Sequence, residues 1–118
     1  MTKERPVINE IIKENMSDFE LFQNKTIRPI IKMQHELLIA FLKNYLQKRK
    51  IDFSGISDEK KNLKIKSILE KDIQFRNMII GSILGHFSIE EYQQYYSNAS
   101  EMNRRIVKIT IKRFQDSF

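Results

Sequence analysis

A long amphipathic helix is predicted for residues 58–84, whose sequence is DEKKNLKIKSILEKDIQFRNMIIGSIL. At about 100° per residue, its apolar side chains fall in one arc. That arc holds Ile65, Ile68, Leu69, Ile79, Ile80 and Ile83. Asp72 and Arg76 point into the same arc, one turn apart. Because an unpaired buried ion is costly, we expect these two residues to pair with each other inside the stripe.

Polar side chains recur on the core-facing arcs of the other predicted helices. The set consists of Gln23, Gln34, Asp72, Arg76 and Asn103. One interpretation is a hydrogen-bonded layer, shared by three helices, that fixes their register. A second is a pocket that holds a ligand or partner, and a third is that these residues face solvent. The first interpretation predicts that Arg76→Ala costs about 3–5 kcal/mol.

Composition favours one helical domain spanning residues 1–118. The chain has 118 residues, three glycines and two prolines, and it lacks cysteine. The absence of cysteine excludes disulfides, thiolate metal sites and cysteine nucleophiles. No apolar run approaches the roughly 20 residues of a membrane span, and the charged N-terminal segment lacks the features of a signal peptide. We expect a cytoplasmic protein without membrane contact, in which residues 1–16 form a loosely attached arm.

Capping residues mark the predicted helix starts. Ser17 and Ser88 are each followed three residues later by Glu, which is the spacing of a capping box. Ser57 precedes two acidic residues, which suit the positive end of a helix dipole. Asn98, with Glu101 three residues on, is a weaker fourth start.

The predicted fold is an all-α, mostly antiparallel bundle of four main helices, because short loops make sequential helices neighbours. The helices are predicted at Asp18–Lys50, Asp58–Leu84, Ile89–Tyr96 and Ala99–Gln115, with a short N-terminal helix at Pro6–Glu14. Pro29 predicts a kink or break of the first helix near Arg28. Residues 106–112 are rich in β-branched side chains, but no other strand is predicted to pair with them, so we expect helix there.

Catalysis has few candidate residues in this sequence. His35 and His86 are the only histidines. Neither lies in an E-x-x-H or H-E-x-x-H motif, and His35 and Glu36 are adjacent, so they point about 100° apart on a helix. We therefore predict no enzyme activity, no cofactor and no metal site.

Positive charge is concentrated in two zones of a chain whose net charge is +6. Residues 43–66 carry eight basic and three acidic groups, a net +5, and residues 101–118 carry five and two, a net +3. The predicted basic surface consists of Lys48, Arg49, Lys50, Lys60, Lys61, Lys64, Arg104, Arg105, Lys108 and Lys112. Such zones suit an anionic partner, above all a nucleic acid, or serve solubility alone. The last two helices also weakly resemble a helix-turn-helix, whose second helix would present its cations to DNA.

Four segments resemble a small, uncharacterised bacterial all-helical family of about 120 residues. They are residues 23–30 (QNKTIRPI), 72–77 (DIQFRN), 85–92 (GHFSIEEY) and 103–105 (NRR), and the resemblance covers most of residues 17–105. It emphasises Gln23, Arg28, Asp72, Arg76, Asn77 and Asn103. Members are often labelled glyoxalase. Glyoxalase I has a β-α-β-β-β fold with His and Glu metal ligands on strands, which this sequence does not supply, so we expect the label not to apply.

The sequence therefore predicts a non-catalytic binding or regulatory protein. We expect it to dock on a larger assembly that contains protein and nucleic acid, such as a ribonucleoprotein, through its basic helical surfaces. One alternative is a self-associating protein, for example a homodimer, that binds a small ligand at the polar core cluster. The other is a DNA-binding protein of the helix-turn-helix type.

Overall fold

The chain is all-helical in a computed structural model that describes residues 4–6 and 17–118. Its elements are α1 (Asp18–Phe22), a π-helix (Gln23–Ile27), α2 (Arg28–Met33), α3 (His35–Lys48), α4 (Asp58–Lys71), α5 (Ile73–Leu84), α6 (Ile89–Tyr96) and α7 (Ala99–Ser117). Residues 106–112 lie inside α7, so the prediction of helix there is confirmed. Most of the predicted N-terminal helix, Pro6–Glu14, lies outside the described residues.

Three of the four predicted helix starts carry a side-chain cap. The hydroxyl of Ser17 accepts from the amide of Glu20, and that of Ser57 accepts from the amide of Lys60. Ser88 and Glu91 form the complete capping box. Asn98 occupies the N-cap position of α7 without a side-chain cap. These starts were predictable because each depends on residues within one helical turn.

The segment predicted as one helix over Asp18–Lys50 consists of α1, a π-helix, α2 and α3. The backbone is π-helical over Gln23–Ile27, and Pro29 lies in the first turn of α2, the part of a helix where proline is best tolerated. The α-helical run is interrupted five residues later, at Gln34, whose φ and ψ are −96° and 15°. The predicted kink near Arg28 therefore stays a prediction, and the interruption at Gln34 was not foreseen.

The prediction of one continuous helix over residues 58–84 is wrong, because Asp72 divides this segment into α4 and α5. Asp72 leaves the helical region, with φ −88° and ψ 96°, and its carboxylate accepts from the amide of Phe75. It is therefore the N-cap of α5 and not a member of a buried stripe. The apolar arc itself is buried as predicted, from Ile65 on α4 to Ile83 on α5.

A Schellman motif ends α3. The amide of Ile51 donates to the carbonyl of Leu46 at 2.9 Å, and the amide of Lys50 donates to that of Gln47 at 3.1 Å. Lys50 takes the left-handed conformation that this motif requires, with φ 54°. Glycine usually fills this position, so a lysine here carries backbone strain.

The core is organised around α7, which contacts the π-helix, α4, α5 and α6. Its inner face presents Met102, Ile106, Thr110 and Phe114, all buried. The mostly antiparallel order of four main helices stays a prediction. No helix within residues 17–118 is both long and apolar enough to cross a membrane. The outer face of α7 is exposed at Arg104, Lys108 and Lys112, and this face positions the candidate site.

Candidate anion-binding surface

A stripe of cations runs along the exposed face of α7. Arg104, Lys108 and Lys112 recur every four residues and are exposed. They lie opposite the buried side chains of the same helix, as the sequence predicted. We call these three residues the α7 stripe. Their spacing places three positive charges in a row along one side of the molecule.

Glu101 partly neutralises the start of this helix. Its carboxylate accepts from Arg104 at 2.8 Å and from Arg105 at 2.8 Å. Hydrogen bonds from these two arginines lower the pKa of Glu101 from 4.5 to about 2. The carboxylate therefore stays charged at neutral pH and offsets positive charge at the N-terminal end of the stripe. Lys108 lies beyond this pair, and Lys112 bonds Asp116 at 3.1 Å.

A cleft separates α7 from the π-helix and α2, with a volume of about 760 Å³. We call it the arginine cleft. Its cationic lining residues are Arg28, Arg104, Arg105, Lys108, Lys112 and Arg113. Two carboxylates, Glu20 and Asp116, also line it. Six positive charges against two negative ones make the cleft strongly attractive to anions.

A second cleft lies on the other side of the stripe, between α7 and helices α4 and α5, with a volume of about 670 Å³. We call it the lysine cleft. Lys66 and Arg76 contribute its charge from α4 and α5, and Glu70 is its one acidic lining residue. The α7 stripe lines both clefts. Cations from four helices therefore converge on one face.

Arg113 is a partly buried cation of the arginine cleft. One of its terminal nitrogens lies 3.1 Å from Nδ1 of His35. Because a guanidinium can only donate, that histidine nitrogen accepts. The Nε of Arg113 is buried without a hydrogen-bond partner among the described residues. Burial, and next the charge of Arg28, lower the pKa of Arg113.

The five residues of the predicted polar core cluster do not form one layer. Gln23 accepts from Arg105 at 3.0 Å, Asn103 accepts from Tyr95 at 2.6 Å, and the amide of Gln34 lies 2.5 Å from Nε2 of His86. Each of these partners lies outside the predicted cluster. Only Gln34 is buried among the five, at 8% exposure. The cluster therefore consists of separate local contacts rather than a shared pocket.

The predicted side-chain pairing of Asp72 with Arg76 is wrong. The carboxylate of Asp72 accepts from the hydroxyl of Tyr45 at 2.8 Å and from Arg49 at 3.3 Å. The amide of Phe75, and next the hydroxyl of Tyr45, lower the pKa of Asp72. Within residues 17–118, Arg76 makes no side-chain hydrogen bond or ion pair, and it lines the lysine cleft instead. With the helix broken at Asp72, its carboxylate bonds Tyr45 of α3, the C-cap residue Arg49 and the amide that it caps, rather than Arg76.

The remaining predicted basic residues lie away from the α7 stripe. Lys48 and Arg49 line a cleft that also contains Asp72, and the guanidinium of Arg49 lies 3.7 Å from the ring centroid of Tyr45. Lys50 follows α3 and is exposed. On α4, Lys60 and Lys64 are exposed, whereas Lys61 bonds Asp58 and the backbone carbonyl of Phe118. These cations belong to other surfaces.

Four cations of the candidate surface were missing from the predicted basic surface: Arg28, Lys66, Arg76 and Arg113, of which Arg76 was predicted only for the polar core cluster. Lys66 and Arg113 lie within the two basic zones, but neither stood out by spacing. Arg28 was emphasised only by the family resemblance. Arg28 and Arg113 are 85 positions apart in the sequence but line the same cleft. No local sequence pattern predicts that they lie close together.

Residue 5 ties the N-terminal segment to α6. Arg5 forms an ion pair with Glu91 at 2.6 Å and donates to the carbonyl of His86. Thr26 donates to the same carboxylate at 3.1 Å. Within the predicted arm of residues 1–16, Arg5 is therefore bound to the helical domain. Residues 1–3 and 7–16 lie outside the described part of the chain.

The described residues, 4–6 and 17–118, contain no candidate metal centre. No group of three or more His, Asp or Glu side chains there is placed to hold an ion. Both histidines are engaged, His35 with Arg113 and His86 with Gln34. Comparisons with protein-family models, curated proteins and solved structures give no match to the chain. The candidate site is therefore defined by its geometry and charge.

Proposed function

We propose that this protein is a non-catalytic binding protein that contacts the phosphate backbone of a nucleic acid within a larger assembly. The contact surface is the α7 stripe together with the two clefts beside it. The observation that carries the proposal is the convergence of cations from four helices on one exposed face. Such a surface neutralises successive phosphates and releases their counterions, which provides affinity without reading sequence.

Backbone contact is favoured over base recognition by the position of Glu101. In a helix-turn-helix protein the N-terminal residues of the second helix contact base edges. Here the exposed N-terminal turns of α7 carry a carboxylate that pairs with Arg104 and Arg105. A negative charge there opposes insertion of this end of the helix into a groove, whereas the α7 stripe lies along the exposed side of the helix. The surface therefore supports shape- and charge-based binding.

The small-ligand alternative at the polar core cluster receives no support from the geometry, because the five residues bind separate partners. We place the protein in the cytoplasm, and self-association as a homodimer remains part of the alternative. Sedimentation equilibrium at micromolar concentrations tests self-association directly. A monomer leaves the proposed function intact, since each chain carries a complete surface.

The test is the salt dependence of binding to fluorescent 20-nucleotide RNA and DNA, single-stranded and duplex. The logarithm of the affinity should fall linearly with that of the salt concentration, with a slope of about −0.9 per phosphate neutralised on duplex DNA. The triple variant Arg104→Gln, Lys108→Gln, Lys112→Gln should lower the magnitude of the slope by about 2.7, since three contacts are lost.

A matched control removes the same charge from another surface. The triple variant Lys48→Gln, Arg49→Gln, Lys50→Gln also lowers the net charge by three, but its residues lie away from α7. It should keep most of the slope. Equal losses in the two variants, or no binding at 50 mM salt, would refute the proposed surface.

A further inference from the structure

We propose that the arginine cleft contains a discrete site for one phosphate monoester anion, held between Arg28 and Arg113. This site goes beyond the proposed function, because a single anion can bind there whether or not the α7 stripe contacts nucleic acid. The phosphate could belong to the 5′ end of a nucleic acid strand or to a small phosphorylated metabolite. Both sources share the same recognisable chemistry.

The first support is a pair of guanidinium groups without a carboxylate partner. Arg28 donates from Nε to Asn24 at 3.0 Å, and Arg113 donates to His35. Both acceptors are neutral groups. Neither arginine forms an ion pair with a described carboxylate. Burial, and next the charge of Arg28, lower the pKa of Arg113, whereas the carboxylate of Asp116 acts in the opposite direction without forming an ion pair with it.

The carboxylates that line the cleft accept their hydrogen bonds from side chains other than Arg28 and Arg113. Asp116 accepts from Lys112 at 3.1 Å, and Glu20 accepts from the hydroxyl of Ser17 at 3.3 Å. A dianion placed between the two arginines would supply the direct ion pair that both lack. A phosphate monoester carries close to two negative charges near neutral pH, since its second pKa is about 6.

The second support is a supply of unused donors. The Nε–H of Arg113 has no acceptor among the described residues, although buried donors are almost always paired. The Nε of an arginine and one terminal nitrogen form a fork that binds phosphate in bidentate fashion. Gln23 uses its carbonyl oxygen for Arg105, and its amide nitrogen is left as a further donor at the cleft wall.

The volume of the cleft points to an ester rather than to free phosphate as the natural ligand. At about 760 Å³ the cleft is of the size that holds small organic ligands in proteins. One phosphate group fills a minor part of that space. The remainder, beside Ile109 of α7, has room for the organic part of the molecule.

The first experiment uses inorganic phosphate as the probe, at constant ionic strength set with sodium chloride. Phosphate should raise the melting temperature of the protein in a saturable way, because a ligand that binds only the folded state stabilises it. It should also shift the Nε–Hε resonance of Arg113 in a nitrogen–proton NMR spectrum. A spectrum in which this resonance does not move would overturn the proposal.

Variants separate binding from folding. Arg28→Gln should abolish the phosphate-dependent rise in melting temperature, and Arg113→Gln should do the same. Without phosphate, Arg28→Gln should melt at the same temperature as the wild type or higher, since it removes one of two repelling charges. A merely structural Arg28 predicts a lower melting temperature and an undiminished response to phosphate. Lys64→Gln removes one positive charge from an exposed position of α4, and it should keep the full rise in melting temperature with phosphate.

The source of the phosphate is resolved by competition. The ligands are a thymidine dinucleotide with a 5′-phosphate, the same dinucleotide with a 5′-hydroxyl, and glycerol 3-phosphate. Tighter binding of the 5′-phosphorylated dinucleotide supports a strand end, and tighter binding of glycerol 3-phosphate supports a metabolite. Equal binding of both dinucleotides, with none by glycerol 3-phosphate, would overturn the site. Arg28→Gln should still bind 20-nucleotide strands with 5′-hydroxyl ends, so this inference and the proposed function fail separately.

Discussion

Replacing Lys50 by glycine should stabilise the protein. Lys50 follows the C-cap of α3 with φ 54°, and the two hydrogen bonds of the Schellman motif hold it there. A side chain with a Cβ atom in this conformation costs roughly 1–2 kcal/mol. Glycine removes that cost but loses more backbone entropy on folding, roughly 0.5–1 kcal/mol. The net gain in the free energy of unfolding is therefore about 0.5–1 kcal/mol.

Chemical denaturation followed by circular dichroism measures this gain, and thermal melting should show a rise of roughly 4 °C per kcal/mol for a domain of this size. Two controls define the cause. Lys50→Ala removes the same charge but keeps the Cβ atom, so it should give no gain. Lys43→Gly, at an exposed position in the middle of α3, should lower stability by about 1 kcal/mol, because glycine weakens a helix interior. Equal stability of Lys50→Gly and Lys50→Ala would refute the strained conformation.

Three further predictions test individual contacts. Glu101→Gln should lower the melting temperature at pH 7. The difference in melting temperature from the wild type should vanish as the pH falls from 4.5 to about 2, because Glu101 takes up its proton in the folded state over this range. An equal difference at pH 4.5 and at pH 2 would contradict the ion pair. Tyr45→Phe should raise the pKa of Asp72 towards its ordinary value, as followed by carboxyl carbon NMR, and an unchanged pKa would exclude the hydroxyl contact. Arg76→Ala should change the free energy of unfolding by less than about 1 kcal/mol, because the side chain is unpaired and partly exposed. A loss of about 3–5 kcal/mol, measured by chemical denaturation, would instead support a buried ion pair with Asp72.

Local chemistry made most of the fold predictable. The caps at Ser17, Ser57 and Ser88 and the buried stripe of α7 depend on residues within one or two turns, so the sequence displays them directly. The break at Asp72 was missed because the apolar side chains of α4 and α5 keep one helical phase through it. In that setting an aspartate is consistent with two structures, a helix interior or a cap. Only its contacts with Phe75 and Tyr45 decide between them.

The candidate site was predictable in part, for a different physical reason. The α7 stripe was found because its three cations share one face of one helix. The arginine cleft was not found, because Arg28 and Arg113 are brought together only when α7 packs against the π-helix. A charge count along the chain records how many cations there are. It does not record which of them face each other.

The central position of α7 has a consequence for how the chain folds during synthesis. Of the described helices, α7 leaves the ribosome last, yet it supplies the partner surface for the π-helix, α4, α5 and α6. Until it emerges, the apolar faces of those helices lack the surface that covers them, among them Ile65 and Ile79. Translation adds roughly 5–20 residues per second, so the nascent chain waits for seconds in a partly uncovered state. Chaperone contact with this protein should therefore be concentrated in that interval, before its last helix is available.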